Sequence, residues 1–288
     1  MIPPAFDYAA PTSLSDALAL LSQNPEAKVL AGGHSLIPAL KFRMASPALL
    51  VDINKVAGLA YLREAGGWLA IGAMTREADL DRSALVREKY PLLADTARMI
   101  ADPLVRNLAT IGGNLAHADP ANDHPATMLA YRAEVTAQGP AGARTIPIAD
   151  FFTGPFTTSL AANEILTEIR LPARRAGDGG CYLKIERKVG DYATAAVAVQ
   201  INVNAAGVCT SAGLALTNLG LTAIRCAAAE AALVGQPLDE AAIKAAAQRA
   251  AQAAEPVSDY RGSEAYKRSL VTTLTVRALR TALERARR

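Results

Sequence analysis

Residues 28–43 read KVLAGGHSLIPALKFR, and from Ala109 the chain reads ATIGGNLAHADPANDHP. Each stretch sets a glycine pair, Gly32-Gly33 or Gly112-Gly113, behind a short strand-like run and ahead of a polar residue able to cap a helix, Ser35 or Asn114. Such a turn aims several main-chain N–H groups at one point, and the positive end of a following helix adds to them; the chemistry on offer is anion binding. Glycine is needed where a Cβ would block positive φ or hold a phosphate oxygen off the backbone. Neither AGGHS nor TIGGN contains Lys or Arg, so a phosphate here would be held by dipoles. A single glycine pair is most often a plain turn, as expected of Gly66-Gly67 and Gly179-Gly180. Two in matching contexts suit the two charged centres of a pyrophosphate.

Other chemistries lack their signatures. No G-x-G-x-x-G opens a helix and no Gly-Lys-Ser/Thr follows either pair, which disfavours a nicotinamide-type Rossmann site and excludes a P-loop. HADPANDHP brings His117, Asp119, Asp123 and His124 close in sequence, but without metal-site spacing; its Asp and Pro residues suit a turn. Ser159, with Thr153 and Thr157 nearby, has no histidine at a spacing that suggests a triad. No side-chain acid, base, nucleophile or metal ligand is assigned.

Periodicity and chain breakers outline the elements that must hold these loops. Ser13 caps a helix through LSDALALLSQN, with Asp16 three residues on and Pro25 beyond its end. KVLAG reads as a strand and SLIPALKFRM as a short helix with Ser35 as N-cap and Pro38 in its first turn. LLVDINKV, YLREAG and WLAIGAM are strand-like, the last two joined as a hairpin at Gly66-Gly67. From Leu85 the text predicts one helix, stopped by Pro103 just before the second glycine pair. EVTAQGPAGARTIPIADFF suggests another hairpin, and ILTEIRLP a strand ended by Pro172. ARRAGDGG is the best linker, placing a domain boundary near residue 177. Beyond it CYLKIERK, TAAVAVQINVN and VCTSAGLALTNLG alternate as a small antiparallel sheet, followed by three helical stretches, the last from about Ser263. The expected division is 1–177, split near residue 57, and 178–288.

At 288 residues the chain is long enough for two cores, built mainly from aliphatic residues and Ala because aromatics are only 5%. Its net charge of +3 is spread among 27 acidic residues, so a nucleic-acid surface is not indicated. Cys181, Cys209 and Cys226 are odd in number and free of C-x-x-C spacing, as expected of core residues in a reducing compartment. No apolar run approaches ~18 residues and the start lacks a signal-peptide pattern, so the expected location is cytoplasmic with no integral membrane segment.

AGGHSLIPALKFR, ATIGGNLAHADPANDHPA, EILTEIRLP and ERKVGDYATAAVAV, in this order, resemble the FAD-binding subunits of the molybdenum hydroxylases over essentially the whole chain. GDYATAAVA and the total length favour the carbon monoxide dehydrogenase group of that family. The resemblance implies an α+β fold: a two-part FAD-binding domain of the vanillyl-alcohol-oxidase-like type, then a small antiparallel sheet with a C-terminal helical bundle. It implies that Ala31, Gly32, Gly33, His34, Ser35 and Leu36 form one pyrophosphate loop and Ala109, Thr110, Ile111, Gly112, Gly113 and Asn114 the other. Asp123 is then expected on the ribose side, Ile100 and Leu166 on the flavin or adenine, and Lys184 and Tyr192 near the isoalloxazine, with Tyr192 covering one face. Covalent oxidases of the wider flavin superfamily bond a histidine in a similar GGH context to the flavin; the second loop sides with non-covalent FAD and leaves His34 unmodified. The resemblance also implies partners: a small subunit with two [2Fe-2S] clusters and a large subunit with a molybdenum-copper cofactor, in a dimer of heterotrimers, with quinone as acceptor and peripheral association with the inner face of the membrane. Two other readings stay open: the same subunit serving a molybdenum hydroxylase of N-heterocycles or aldehydes, and a stand-alone flavin oxidoreductase.

Overall fold

The computed structural model describes all residues 1–288. The chain begins with β1 (Asp7–Ala9), α1 (Leu14–Gln23), β2 (Lys28–Leu30), α2 (Leu36–Lys41) and β3 (Leu49–Asp52), and its three strands form a parallel sheet in the order β1-β3-β2. Ser13 does cap α1, its Oγ accepting from the Asp16 N–H at 3.1 Å. The buried stripe Ala17, Leu18 and Leu21 of α1 shares a core with Val51 and Ile53, which anchors β3 as the central strand.

The middle of the chain runs β4 (Leu62–Ala65), β5 (Trp68–Gly72), α3 (Glu77–Arg82), α4 (Ala84–Lys89), α5 (Pro91–Met99), α6 (Pro103–Arg106), α7 (Ile111–His117), α8 (Asp123–Tyr131), β6 (Glu134–Gly139), β7 (Gly142–Pro147), β8 (Phe152–Gly154), β9 (Thr157–Thr158) and β10 (Ile165–Pro172). Five of these strands form an antiparallel sheet in the order β4-β5-β10-β6-β7. Gly66 and Gly67 turn the first hairpin with φ of +58° and +82°, the left-handed pair that a two-residue hairpin of this twist requires.

The remainder comprises β11 (Asp178–Ile185), β12 (Ala195–Val203), β13 (Cys209–Thr217), β14 (Ile224–Arg225), α9 (Ala227–Leu233), α10 (Glu240–Ala253) and α11 (Glu264–Ala286). The four strands are antiparallel in chain order. Side chains alternate across a sheet, and here both faces are covered. Tyr182, Ala196, Ala198 and Ala215 join the core of the middle region, while Cys181, Val197, Val199 and Leu214 join the core shared with α10 and α11. The whole is an α+β fold with no helix long and apolar enough to cross a membrane.

Four local expectations need correction. The helix read from Leu85 is two helices broken at Tyr90 (φ −126°, ψ 62°), because Pro91 offers no N–H and pushes the preceding residue out of the helical region. Pro103 opens α6 at its first position, with Asp102 capping it, and does not stop a helix. The stretch HADPANDHP, read as a turn, runs into helix α8 from Asp123, and α7 starts at Ile111, ahead of the Asn114 expected to cap it. Gly179-Gly180 is no turn but part of β11, where a Cβ would strike the Ala282 carbonyl of α11 on one side and Leu92 of α5 on the other.

Candidate cofactor site

The first glycine loop leaves β2 at Leu30 and enters α2 at Leu36. Gly33 sits at φ +79°, where an L side chain is strained. Across this turn the backbone N–H groups of Gly32, Gly33, His34, Ser35 and Leu36 find no acceptor within the chain. Ser35 does not act as the expected side-chain cap: its backbone is helical (φ −105°, ψ −47°) and its hydroxyl makes no cap bond. Five successive donors and a hydroxyl are therefore unspent in a half-buried loop, in which His34 is exposed and Ser35 half-buried.

The second pair is built differently, because it is not a strand-to-helix turn. Gly112 and Gly113 lie inside the first turn of α7, and Thr110 is its N-cap, its Oγ1 accepting from the Gly113 N–H at 3.1 Å. Ile111 N–H donates to the Thr75 carbonyl, Gly112 N–H to Ala73 and Asn114 N–H to Thr110, so most of this loop's donors are already used. Its glycines are required by close approach and not by positive φ. A Cβ on Gly112 would lie 2.6 Å from the Ala73 carbonyl oxygen, and one on Gly113 2.8 Å from Thr110 Oγ1. The side-chain oxygen Asn114 Oδ1 is buried without a partner.

The two loops touch. A Cβ on Gly32 would fall 2.7 Å from Ala109 Cα, and one on Gly113 3.5 Å from Ala31 Cβ. Asn54 and Arg76, which sequence reasoning missed, tie them together: Asn54 Nδ2 donates to the Ala31 carbonyl (2.8 Å), Arg76 Nη2 to Asn54 Oδ1 (2.7 Å), and Arg76 Nη1 to the Leu108 carbonyl.

A second group of expected residues converges on Lys184. This fully buried ammonium donates to Asp123 Oδ2 (3.1 Å), to the Met99 carbonyl next to Ile100 (2.6 Å) and to the Asp191 carbonyl next to Tyr192 (3.1 Å). Tyr182, also missed, donates to the other Asp123 oxygen at 2.5 Å. Burial pushes the Asp123 carboxyl above its ordinary range, against the pull of Lys184 and Tyr182. Asn122 Nδ2, one residue earlier, donates to the Asn114 carbonyl at 2.9 Å and so couples this group to α7. The loop before Tyr192 lies against Ala101, leaving no room for a Cβ on Gly190. Arg261 fixes that loop through Asp191 Oδ1 (3.0 Å) and the Tyr192 carbonyl (2.9 Å), and its hydrogen bond holds the Asp191 carboxyl down to about 2. Tyr192 itself is 45% exposed. Leu166 is buried on β10, in the same core as Ile111 and Leu115.

The histidines of HADPANDHP have separate engagements. His117 packs against Phe156 with ring centroids 5.3 Å apart and planes tilted by 58°, while His124 is fully buried and shares a 2.8 Å hydrogen bond with Glu77.

The run of free amides and the Cβ-free contact between the loops fit a pyrophosphate-bridged dinucleotide such as FAD, and the orphaned Asn114 oxygen, an acceptor, suits a hydroxyl of the same dinucleotide. Known proteins give the same picture. Residues 4–174 match the family model for the FAD binding domain in molybdopterin dehydrogenase, and residues 180–282 that for the CO dehydrogenase flavoprotein C-terminal domain. The chain is 45% identical over 286 residues to the carbon monoxide dehydrogenase medium chain of Hydrogenophaga pseudoflava, covering 99% of each. It is 41% identical to the 6-hydroxypseudooxynicotine dehydrogenase complex subunit alpha of Paenarthrobacter nicotinovorans, covering 100% of this chain and 97% of that one. Among solved structures, a chain of carbon monoxide dehydrogenase from Hydrogenophaga pseudoflava, in a form lacking the Mo-pyranopterin moiety, superimposes with a TM-score of 0.96 at 48% identity over 99% of both chains.

Proposed function

The chain belongs to the molybdopterin dehydrogenase FAD-binding family, and from that premise we propose that it is the FAD-carrying medium subunit of an aerobic carbon monoxide dehydrogenase. As an oxidoreductase subunit it relays electrons, and CO oxidation itself takes place on a partner. The observation that carries the reading is the end-to-end match to a medium chain of the same length, supported by the unspent amides of the first loop.

FAD, when bound, accepts electrons singly and passes them on in pairs. The chain's own residues hold and orient it. Amides of Gly32 to Leu36 and the Ser35 hydroxyl take one phosphate; Thr110 and the Asn114 Nδ2 amide face the second, with Ala31, Ala109 and Gly113 letting the two loops approach and Ile111 and Gly112 seating the second loop on Thr75 and Ala73. Asn54 and Arg76 keep the two loops in register. A carboxylate has about four acceptor sites, so Asp123 can receive a ribose hydroxyl while Tyr182 and Lys184 fix its orientation. Ile100 and Leu166 supply apolar contact, and Tyr192 shields one face of the ring from water. His34 stays unmodified. The site lies in an FAD-binding domain of residues 1–177, divided near 57, to which the domain of 178–288 contributes Tyr182, Lys184 and Tyr192.

The assembly we infer contains a small subunit with two [2Fe-2S] clusters and a large molybdenum-copper subunit, arranged as a dimer of heterotrimers. Quinone is the acceptor, and the complex works in the cytoplasm at the inner face of the membrane. A second reading, a hydroxylase of N-heterocycles, is favoured by the 41% full-length identity to a subunit of a 6-hydroxypseudooxynicotine dehydrogenase complex. Native mass spectrometry of the purified complex, with Mo, Cu and Fe analysis, separates them: copper matched to molybdenum supports CO oxidation, and molybdenum without copper favours the second reading.

A further inference from the structure

Where α4 and α5 meet the start of β11 and the end of α11, a cleft of about 250 Å³ is lined by five arginines, Arg87, Arg98, Arg174, Arg285 and Arg288. None of its lining residues belongs to the cofactor site. Three acids also line it, but two are already matched. Asp95 accepts both Nη groups of Arg285, at 2.5 and 3.2 Å, and Asp178 pairs with the Arg175 guanidinium, outside the cleft, at 3.4 Å. Arg98 shares Asp81 with Arg106. That leaves Glu88 as the one unpaired acid in the lining beside Arg87, Arg174 and Arg288, none of which forms an ion pair within the chain.

Uncompensated guanidiniums repel one another; Arg87, Arg98, Arg174 and Arg288 are exposed, so water eases this repulsion, and an anion in the concavity relieves the remainder. One of the five is already fixed in place, since Arg285 also donates to the Gly180 carbonyl at 2.7 Å. Planar guanidinium forks match phosphate oxygens two at a time. The volume falls below the ~300–1,000 Å³ of pockets for drug-sized ligands, and the two small apolar residues of the lining, Pro91 and Ala94, offer little to an acyl chain. We propose that this cleft binds a compact, free polyanion of the pyrophosphate class, clamping α5 to β11 and α11.

The test is calorimetric titration of inorganic pyrophosphate into the FAD-loaded complex, in which the glycine loops are already filled. Saturable binding of one pyrophosphate per chain is expected, weakening with added salt and weaker for orthophosphate. Arg87→Gln and Arg174→Gln should each weaken it about tenfold without a change in melting temperature. Arg63→Gln, an exposed arginine outside the cleft, should leave it unchanged. The assignment is overturned by absence of saturation up to about 10 mM, below any specific affinity, or by equal binding in wild type and both cleft variants. Binding to phosphatidylglycerol vesicles in place of free pyrophosphate, lost in the same variants, would overturn the assignment to a free anion.

Discussion

Gly33→Ala separates a flavin loop from an ordinary turn, because the structure supplies a matched control. Gly33 has φ +79° and Gly66 φ +58°, so an alanine at either position meets left-handed backbone strain of about 1–2 kcal/mol. At Gly66 a Cβ has open space, whereas at Gly33 it lies 2.8 Å from Ile37 Cδ1, a flexible side-chain end that can move. Thermal unfolding of the flavin-depleted complex, where FAD binding adds no stability, should therefore report similar small losses for Gly33→Ala and Gly66→Ala. The flavin should tell them apart. Relaxing Gly33 towards negative φ turns its N–H and that of His34 away from the shared focus, and hydrogen bonds to a charged group are worth about 1.5–3 kcal/mol each. Loss of one such bond weakens FAD by ten- to a hundredfold, at about 1.4 kcal/mol per decade. FAD affinity, measured by fluorescence quenching on flavin-depleted complex, should fall by that factor for Gly33→Ala and stay unchanged for Gly66→Ala. Equal affinities in wild type and Gly33→Ala, or equal losses in the two variants, would refute the assignment of the free amides to phosphate.

Acid precipitation should release all the flavin as FAD, and the peptide containing His34 should carry no added mass. Tyr192→Ala should alter flavin reoxidation rate more than FAD affinity, since the loops that hold the phosphates are untouched; the reverse pattern in stopped-flow and titration data would remove Tyr192 from the ring. Tyr182→Phe leaves a buried Asp123 oxygen without its donor and should lower stability by about 1–3 kcal/mol, read by thermal unfolding. Arg261 holds Asp191 at about 2, below its ordinary 3.8. A depressed carboxylate contributes stability that is complete above the unfolded value and lost as pH falls through the folded one. The melting-temperature gap between wild type and Asp191→Asn should thus be constant above about pH 5 and close between pH 4 and 2; a gap that closes near pH 6 would contradict this.

What the sequence revealed was local. Ser13 with Asp16 marks a helix start by chemistry confined to four residues, and the alternation in TAAVAVQINVN marks a strand whatever packs on it. The glycine pairs stood out as candidate loops because type and spacing carry the signal. Their construction was not, since Thr110 turns the second pair into a helix start and Ala73, far upstream, dictates the glycine at 112. Arg76 reaches Asn54 and Leu108, 22 and 32 residues away, and Tyr182 reaches Asp123 across 59. Pairings at such separations follow no periodicity, so these residues emerge only once the fold brings them together. Gly179-Gly180 shows the same limit from the other side: only the crossing of α11 and α5 explains a double glycine inside a strand.

The central claim is that this chain passes electrons from CO through a loop-held FAD. Rapid mixing of the purified, oxidised complex with CO, followed by flavin and iron–sulfur absorbance, tests it most directly. The account predicts one FAD per chain, bleached by CO after the iron–sulfur signals, with Gly33→Ala complex showing iron–sulfur bleaching but a diminished flavin phase. Flavin that stays oxidised under CO while an N-heterocycle or aldehyde bleaches it, or full flavin bleaching by CO in this chain isolated from its partners, would contradict it.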